Sequence, residues 1–446
     1  MAKLISSLFM VLVLSYLSNR VDGKVPSKET LENVDRKLKL LNKPAVKSIQ
    51  SEDGDIIDCV DIHKQPAFDH PALRNHVIQM RPSFDLQEDN LSIKKESSKQ
   101  VVTQTWQRSG SCPEGTVPIR RMRRQDLLRA TSLEQFGRKP PQVFFPSNRT
   151  NQGDGSFSYI NKTKATLGPN LNRSIRKFYC QLPNAFRVQS LLTTTGTSAF
   201  LLTLGYNYIG AKGEINVWNP NVASPDDYST AQIWMKGGPG DDFESLESGW
   251  VVNPKLYGDK RTRFFAYWTT DAYKKTGCFD LTCSGFVQTS RDFALGGAID
   301  SWSSKSGRQY YITVGIYMDP KTSNWWLKYA DDITVGYWPA GSLMFYLNHS
   351  STLVQWGGEV YSPNVFKTPH TKTAMGSGEF ARGLFGNACY INNVRIVDYS
   401  LSLKYPEWVD TWSDEDYCYS AYNYIERYGV YPVIYFGGPG QNHLCP

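Results

Sequence analysis

The chain has 446 residues, 40% of them apolar and 20% charged, with a formal net charge of +7 at pH 7. That length exceeds what one hydrophobic core usually holds, so two domains are expected. Past the N-terminus no stretch approaches twenty uninterrupted apolar residues, which argues against a membrane-spanning helix in the remainder.

The first segment reads as an address. Lys3 precedes an apolar run, Leu4 to Leu17, that is too short to cross a bilayer, and Val21 and Gly23 supply small residues for cleavage after Gly23. A secreted protein is expected, extracellular or in the cell wall, with a vacuole as the alternative. Asn-x-Ser/Thr sequons at Asn90, Asn148, Asn161, Asn172 and Asn348 are candidate glycan sites on exposed loops. The eight cysteines suit a compartment in which disulfides persist.

Charge divides the chain. Residues 1–180 hold 29 Lys and Arg against 18 Asp and Glu, and the rest holds 20 against 24. A basic first half and a mildly acidic second half either attract each other or are two separately solvated surfaces. Nucleic-acid binding through Arg120, Arg121, Arg123 and Arg124 is disfavoured in a secreted protein.

Leu31, Val34, Leu38 and Leu41 recur at three- and four-residue spacing, which predicts an amphipathic helix over 27–41. Ile56, Ile57 and Val60 read as a strand in Pro-punctuated text. Residues 88–111 read as an exposed polar loop, and 140–172 as a surface loop rich in Asn, Gly, Ser and Pro.

The second half is different in kind. Short aromatic and β-branched runs are separated by Gly, Asn, Asp and Pro, and Ile312, Val314, Ile316 and Met318 alternate with Tyr311, Thr313, Gly315 and Tyr317. The fold class expected is mainly β: an antiparallel β-sandwich preceded by a smaller α+β domain. Cys278 and Cys283 could staple a hairpin, Cys418 and Cys445 could pin the C-terminal tail, and Cys59 and Cys112 could pair. Cys180 and Cys389 are left as a bridge between the halves or as two buried thiols.

Common hydrolase signatures are missing: there is no Gly-x-Ser-x-Gly, no Asp-Thr-Gly or Asp-Ser-Gly, and no His-Glu-x-x-His. After residue 180 the histidines are His349, His370 and His443, none with metal-ligand spacing to another, so neither metal nor cofactor is expected. Acid–base chemistry in this half would have to come from carboxylates. Leu246-Glu247-Ser248-Gly249-Trp250 and Trp356-Gly357-Gly358-Glu359-Val360 each set a Glu among glycine, which allows close backbone approach, and tryptophan, which excludes water. Desolvation there raises a carboxyl pKa. Taken alone, each Glu also reads as an ordinary strand-edge residue.

At these residues the chain resembles the neprosin family, plant proteins with a neprosin activation peptide ahead of a neprosin domain. The stretch from Lys47 through Cys59, His63 and Pro66 to Pro71, and Gly110-Ser111-Cys112-Pro113, carry the first part. Gln232-Ile233-Trp234, Leu246–Trp250, Tyr267-Trp268, Gly285-Phe286-Val287-Gln288, Trp356–Glu359 and Met375-Gly376-Ser377-Gly378 carry the second. The resemblance implies a glutamic endopeptidase cleaving after proline, with Glu247 and Glu359 as the catalytic pair and Glu244 outside it. It also implies disulfides Cys278–Cys283 and Cys418–Cys445. The chain departs from the pattern at Ser248 and Val251, where Ala and Gln are expected, and in having Cys180 and Cys389.

The domains expected are a signal peptide at 1–23, an activation peptide or prodomain at 24–183, and the peptidase domain at 184–446. Two carboxylates in one cleft share a proton, one activating water and the other polarising the scissile carbonyl, so activity should peak in acid. Gln232, Trp234, Trp250, Tyr267, Trp268 and Trp356 are candidate substrate contacts, the aromatics as walls for a proline ring or as core. The partners expected are proline-containing peptides and the prodomain itself, acting as an intramolecular inhibitor on a monomer. Pro183 is the candidate self-processing site, competing with dibasic cleavage at Arg120-Arg121 or Arg123-Arg124. The other function class is a catalytically inactive cell-wall or glycan-binding sandwich.

Overall fold

The computed structural model describes residues 27–84, 86–88, 102–140, 196–427 and 430–446. Gly23, Asn90, Asn148, Asn161, Asn172, Cys180, Pro183 and the boundary between the two halves lie outside the described residues.

The first half begins with α1 (Lys28–Leu41), capped by the Ser27 hydroxyl, which accepts the Thr30 amide at 3.1 Å. Its three- and four-residue spacing buries Val34 and Leu41. The strands β1 (Ala45–Gln50), β2 (Ile56–Asp61) and β4 (Thr116–Arg120) form an antiparallel sheet in the order β1-β2-β4, tied by the Cys59–Cys112 disulfide. Between them, β3 (Gln87–Glu88) leaves this sheet for the second half, and α2 (Arg124–Arg129) follows β4.

Within 88–111 the described part is not an exposed loop. Gln104, Thr105 and Trp106 are buried, and the Gln104 amide donates to the Ala294 carbonyl at 2.7 Å. Polar side chains go inside here because the other half offers backbone partners. Three of the four arginines in the basic run 120–124 form ion pairs within the first half. Arg120 is buried against Asp55 and Asp126, Arg121 pairs with Asp58, and Arg124 pairs with Asp35 at 2.7 Å.

The second half is strand after strand: β5 (Gly196–Tyr208), β6 (Gly210–Asn216), β7 (Tyr228–Gly237), β8 (Glu244–Val252), β9 (Arg263–Thr269) and β10 (Cys278–Phe279). Then come β11 (Val287–Gln288), β12 (Tyr311–Met318), β13 (Asn324–Tyr329), β14 (Ile333–Pro339), β15 (Ser351–Tyr361) and β16 (Cys389–Val397). The last are β17 (Ser402–Lys404), β18 (Asp410–Ser413), β19 (Ser420–Tyr424) and β20 (Val433–Gly437). One sheet runs β10-β9-β8-β7-β15-β5-β18 and the other β11-β14-β13-β12-β6-β16-β17-β3, with β20 and β19 beyond β16. Pairing is antiparallel except where β3 adds to β17. One core fills the space between the sheets, so this is a β-sandwich. The disulfides Cys278–Cys283 and Cys418–Cys445 are formed, and Cys389 is a buried free thiol whose S–H donates to the Asn216 carbonyl.

Part of the first half lies on the outer face of the seven-stranded sheet, while β3 and Ala67 pack on the other sheet. Val34, Leu41, Met122, Leu127 and Phe136 pack with Tyr228, Phe243, Val251, Leu256, Phe265 and Tyr273 in one apolar cluster. Beside it, buried Asp55 joins Arg120 at 3.2 Å to Arg263 at 2.5 Å, and Arg263 also holds Asp259 at 2.6 Å. Removing one charge from such a network strands the others. Asp55→Asn should therefore destabilise the docked chain by about 3–5 kcal/mol, seen as a lowered melting temperature at neutral pH.

Candidate active site

Antiparallel register places side chains in rows across the sheet, and alternation decides which face each row serves. Tyr267 of β9, Glu247 of β8, Trp234 of β7 and Gln355 of β15 are successive partners in one row, on the face away from the core. Gln232 stands two residues along β7, and Glu359 four residues along β15. The residues between them point inward: Ile233, Leu246, Trp250, Trp268, Val354 and Trp356 belong to the core.

This separates the sequence candidates. Glu247, Glu359, Gln232, Trp234 and Tyr267 share the outer cleft. Trp250, Trp268 and Trp356 do not: they lie on the opposite face, between the sheets. Trp250 is three positions from Glu247 and Trp356 three from Glu359, odd separations that a strand turns into opposite directions. The Trp250 indole donates to the Asn216 carbonyl at 2.9 Å and the Trp356 indole to the Lys212 carbonyl at 3.1 Å, both on β6 of the far sheet. Gly249 and Gly357 are required beside them. A Cβ on Gly249 would lie 2.0 Å from the Ala231 carbonyl oxygen, and one on Gly357 2.2 Å from that of Ala199. Glu244, in the same motif region, is a loop clamp that accepts the amides of Phe345 and Leu347 at 2.7 and 2.8 Å.

The two glutamates meet on one atom. Lys139 Nζ, from the first half, lies 2.6 Å from Glu247 Oε2 and 2.5 Å from Glu359 Oε2. All three residues are buried, with relative exposures of 2% for Lys139, 0% for Glu247 and 7% for Glu359. The Lys139 amide donates to the Tyr267 hydroxyl oxygen at 3.2 Å, and the nearby Gly137 carbonyl accepts the Phe279 amide at 2.7 Å. The segment 137–139 thus docks on the β9–β10 edge and delivers its ammonium between the carboxylates.

The remaining partners are unequal. Glu247 accepts from Gln232 Nε2 at 2.6 Å and from the Tyr273 hydroxyl, whereas Glu359 accepts from the Tyr228 hydroxyl at 3.0 Å. Ala272 and Tyr273, with φ of 55° and 65°, sit in the left-handed region to bring that hydroxyl in. Burial opposes ionisation of both Lys139 and Glu247. Their mutual attraction outweighs it, holding Lys139 above its ordinary pKa and Glu247 below its own. A second lysine, Lys236 of β7, lies over the rings of Phe243 at 5.2 Å and Trp234 at 5.8 Å. Burial pushes its pKa down.

Lys139, Tyr228, Lys236 and Tyr273 were not among the sequence candidates. The even positions of β7 (228, 232, 234, 236) were a legible signal for two of them. Asn348 is partly exposed. No His, Cys or carboxylate cluster at the cleft has the makings of a metal site among the described residues; the grouping of His370 with Cys418 and Cys445 uses sulfurs already committed to a disulfide.

The Neprosin family model matches residues 225–439, and the Neprosin activation peptide model matches residues 48–163. Two solved structures of scytalido-glutamic peptidase with transition-state analogues, one peptide-based, are similar at 9% identity over 54% of this chain and 97% of theirs, with TM-scores of 0.29 and 0.30. The β-porphyranase BpGH16B from the human gut bacterium Bacteroides plebeius is similar at 8% identity over 36% of this chain and 62% of its own, with a TM-score of 0.20.

Proposed function

Because the chain belongs to the neprosin family, with an activation peptide ahead of a neprosin domain, we propose that it is the secreted zymogen of an acid-active glutamic endopeptidase that cleaves after proline. The observation that carries this reading is the convergence of Glu247 and Glu359 on one buried point, the Lys139 ammonium. Two carboxylates that close cannot both stay ionised without a cation, so once the lysine leaves they share a proton. The ionised member draws a proton from water, which attacks the scissile carbonyl; the protonated member donates to the carbonyl oxygen. Trp234 and Tyr267 supply aromatic surface beside the pair for a proline ring.

In this reading the lysine is the lock. It neutralises both carboxylates and fills the place of the attacking water and the carbonyl oxygen. Acid is the key, and the sign follows from the shifts. Glu247 is held below its ordinary value of 4.5 and Asp55 below 3.8, the latter by Arg263 and Arg120 against the effect of burial. A depressed carboxyl stabilises docking above its ordinary value, and that contribution is lost as pH falls through the depressed one. Docking should be complete at neutral pH and fail progressively below about pH 4.5. Size-exclusion chromatography with limited proteolysis over a pH series reads this directly; a prodomain equally tight at pH 3 and pH 7 would count against it.

The functional test is a pair of quenched peptides, identical except for Pro or Ala before the scissile bond, given to acid-activated protein. Cleavage of the Pro peptide alone supports the full proposal. Cleavage of both removes the specificity, and cleavage of neither leaves a binding protein.

A further inference from the structure

The cleft does not treat its two glutamates alike, even with Lys139 left out of the comparison. Glu247 keeps two donors, Gln232 Nε2 at 2.6 Å on Oε2 and the Tyr273 hydroxyl on Oε1, while Glu359 keeps the Tyr228 hydroxyl at 3.0 Å. Donors stabilise a carboxylate over a carboxylic acid. Lys236 adds to the asymmetry. It stands two residues from Trp234, the partner of Glu247 in the row, and its side chain is enclosed by Trp234 and Phe243. Gln232 itself is fully buried, and its Oε1 has no hydrogen-bond partner among the described residues although its amide nitrogen is engaged. An orphaned acceptor beside a carboxylate is an unfilled place for a hydrogen.

Resting on the glutamic-peptidase reading, we infer that Glu247 is the ionised member that takes the proton from water, that Glu359 carries the shared proton, and that Gln232, Tyr273 and Lys236 are positioning residues that fix this division. Gln232 Oε1 accepts the second hydrogen of the attacking water and so aims its lone pair. The water O–H breaks with its proton passing to Glu247. The new O–C bond forms as the carbonyl π pair moves to oxygen, which takes the proton of Glu359. On collapse that hydroxyl returns its proton to Glu359, the C–N bond breaks, and the nitrogen takes the proton held by Glu247. Both side chains end as they began.

The charged and titratable groups facing the pair are Lys236 and Tyr228 from β7, Tyr267 from β9, Tyr273 from the loop after it and, in the zymogen, Lys139; Tyr361, at the end of β15, stacks behind Tyr228. Asp414, just past β18, also attracts Lys236; burial raises the Asp414 pKa to about 6.

The test uses the chemistry of an amide, which donates like a protonated carboxyl but cannot take a proton. In the full chain activated in acid, Glu359→Gln should keep activity within about 10²-fold of wild type and lose the decline toward neutral pH, because its donor no longer titrates. Glu247→Gln should fall about 10⁴-fold, and Glu247→Asp should recover part of that loss, which guards against a misfolded variant. Lys236→Met should move the acid limb of kcat/KM to higher pH, since removing the cation raises the pKa of Glu247; Gln232→Met should lower kcat with little change in KM. Greater residual activity in Glu247→Gln than in Glu359→Gln overturns the assignment, and an unmoved acid limb in Lys236→Met removes that lysine from it. If both glutamine variants cleave as well as wild type, the peptidase reading itself has failed.

Discussion

Lys139→Met should give a full-length protein that cleaves peptides at pH values where the wild-type zymogen is silent. The substitution keeps the length and apolar stem of the side chain, so its packing beside Tyr267 and Tyr273 survives. What it removes is the one cation within ion-pair distance of either glutamate among the described residues. Taking the central charge from a buried triad typically costs about 3–5 kcal/mol, which corresponds to a weakening of docking by two to three orders of magnitude or more. The glutamates then relax by capturing one proton between them, the state the proposed chemistry needs. Peptide cleavage by the uncut chain, followed from pH 3 to pH 8, checks this. A variant as latent as wild type at every pH would show that the lock lies elsewhere.

The second large effect is Glu247→Ala, and Glu359→Ala with it. Each removes a proton-transfer group from the proposed reaction and should lower kcat/KM about 10²–10⁴-fold or more. The zymogens should nevertheless stay docked, because removing one glutamate leaves Lys139 paired with the other, a neutral couple. Activity and melting temperature therefore part company in the single variants. In the double variant they rejoin: further loss of activity is small, because the two side chains act as a unit, but Lys139 is now buried without a partner, and docking weakens. Peptide assays and calorimetry on the three proteins test the pattern; full activity in either single variant would remove that glutamate from the chemistry.

Much of this was legible in the residues. The two-residue alternation of Tyr310–Met318 became β12, the spacing of Leu31, Val34, Leu38 and Leu41 became α1, and three cysteine pairings formed as their placement suggested. The glutamates were singled out by their glycine and tryptophan neighbours. Those same neighbours left open whether the tryptophans line the cleft or fill the core, because composition around a residue says what is near it along the chain but not on which face. The alternation rule, applied outward from Glu247 and Glu359, sends Trp250 and Trp356 inward and leaves Tyr267, rather than Trp268, in the cleft. Lys139 was beyond any such rule. It lies 108 residues before Glu247 and 220 before Glu359, in text without periodicity, and its role depends wholly on tertiary docking. Tyr273 was hidden for a related reason, since it reaches Glu247 from a loop with an uncommon backbone conformation.

The two indoles that donate to β6 have a mechanical meaning. Each glutamate-bearing strand is moored, three residues from its carboxylate, to the same strand of the opposite sheet, at Asn216 for one and Lys212 for the other. The gap between the carboxylates is thereby gauged from behind, by a strand on the far side of the core. Displacing β6 would alter both moorings together and change the gap between the carboxylates without altering a single residue that lines it.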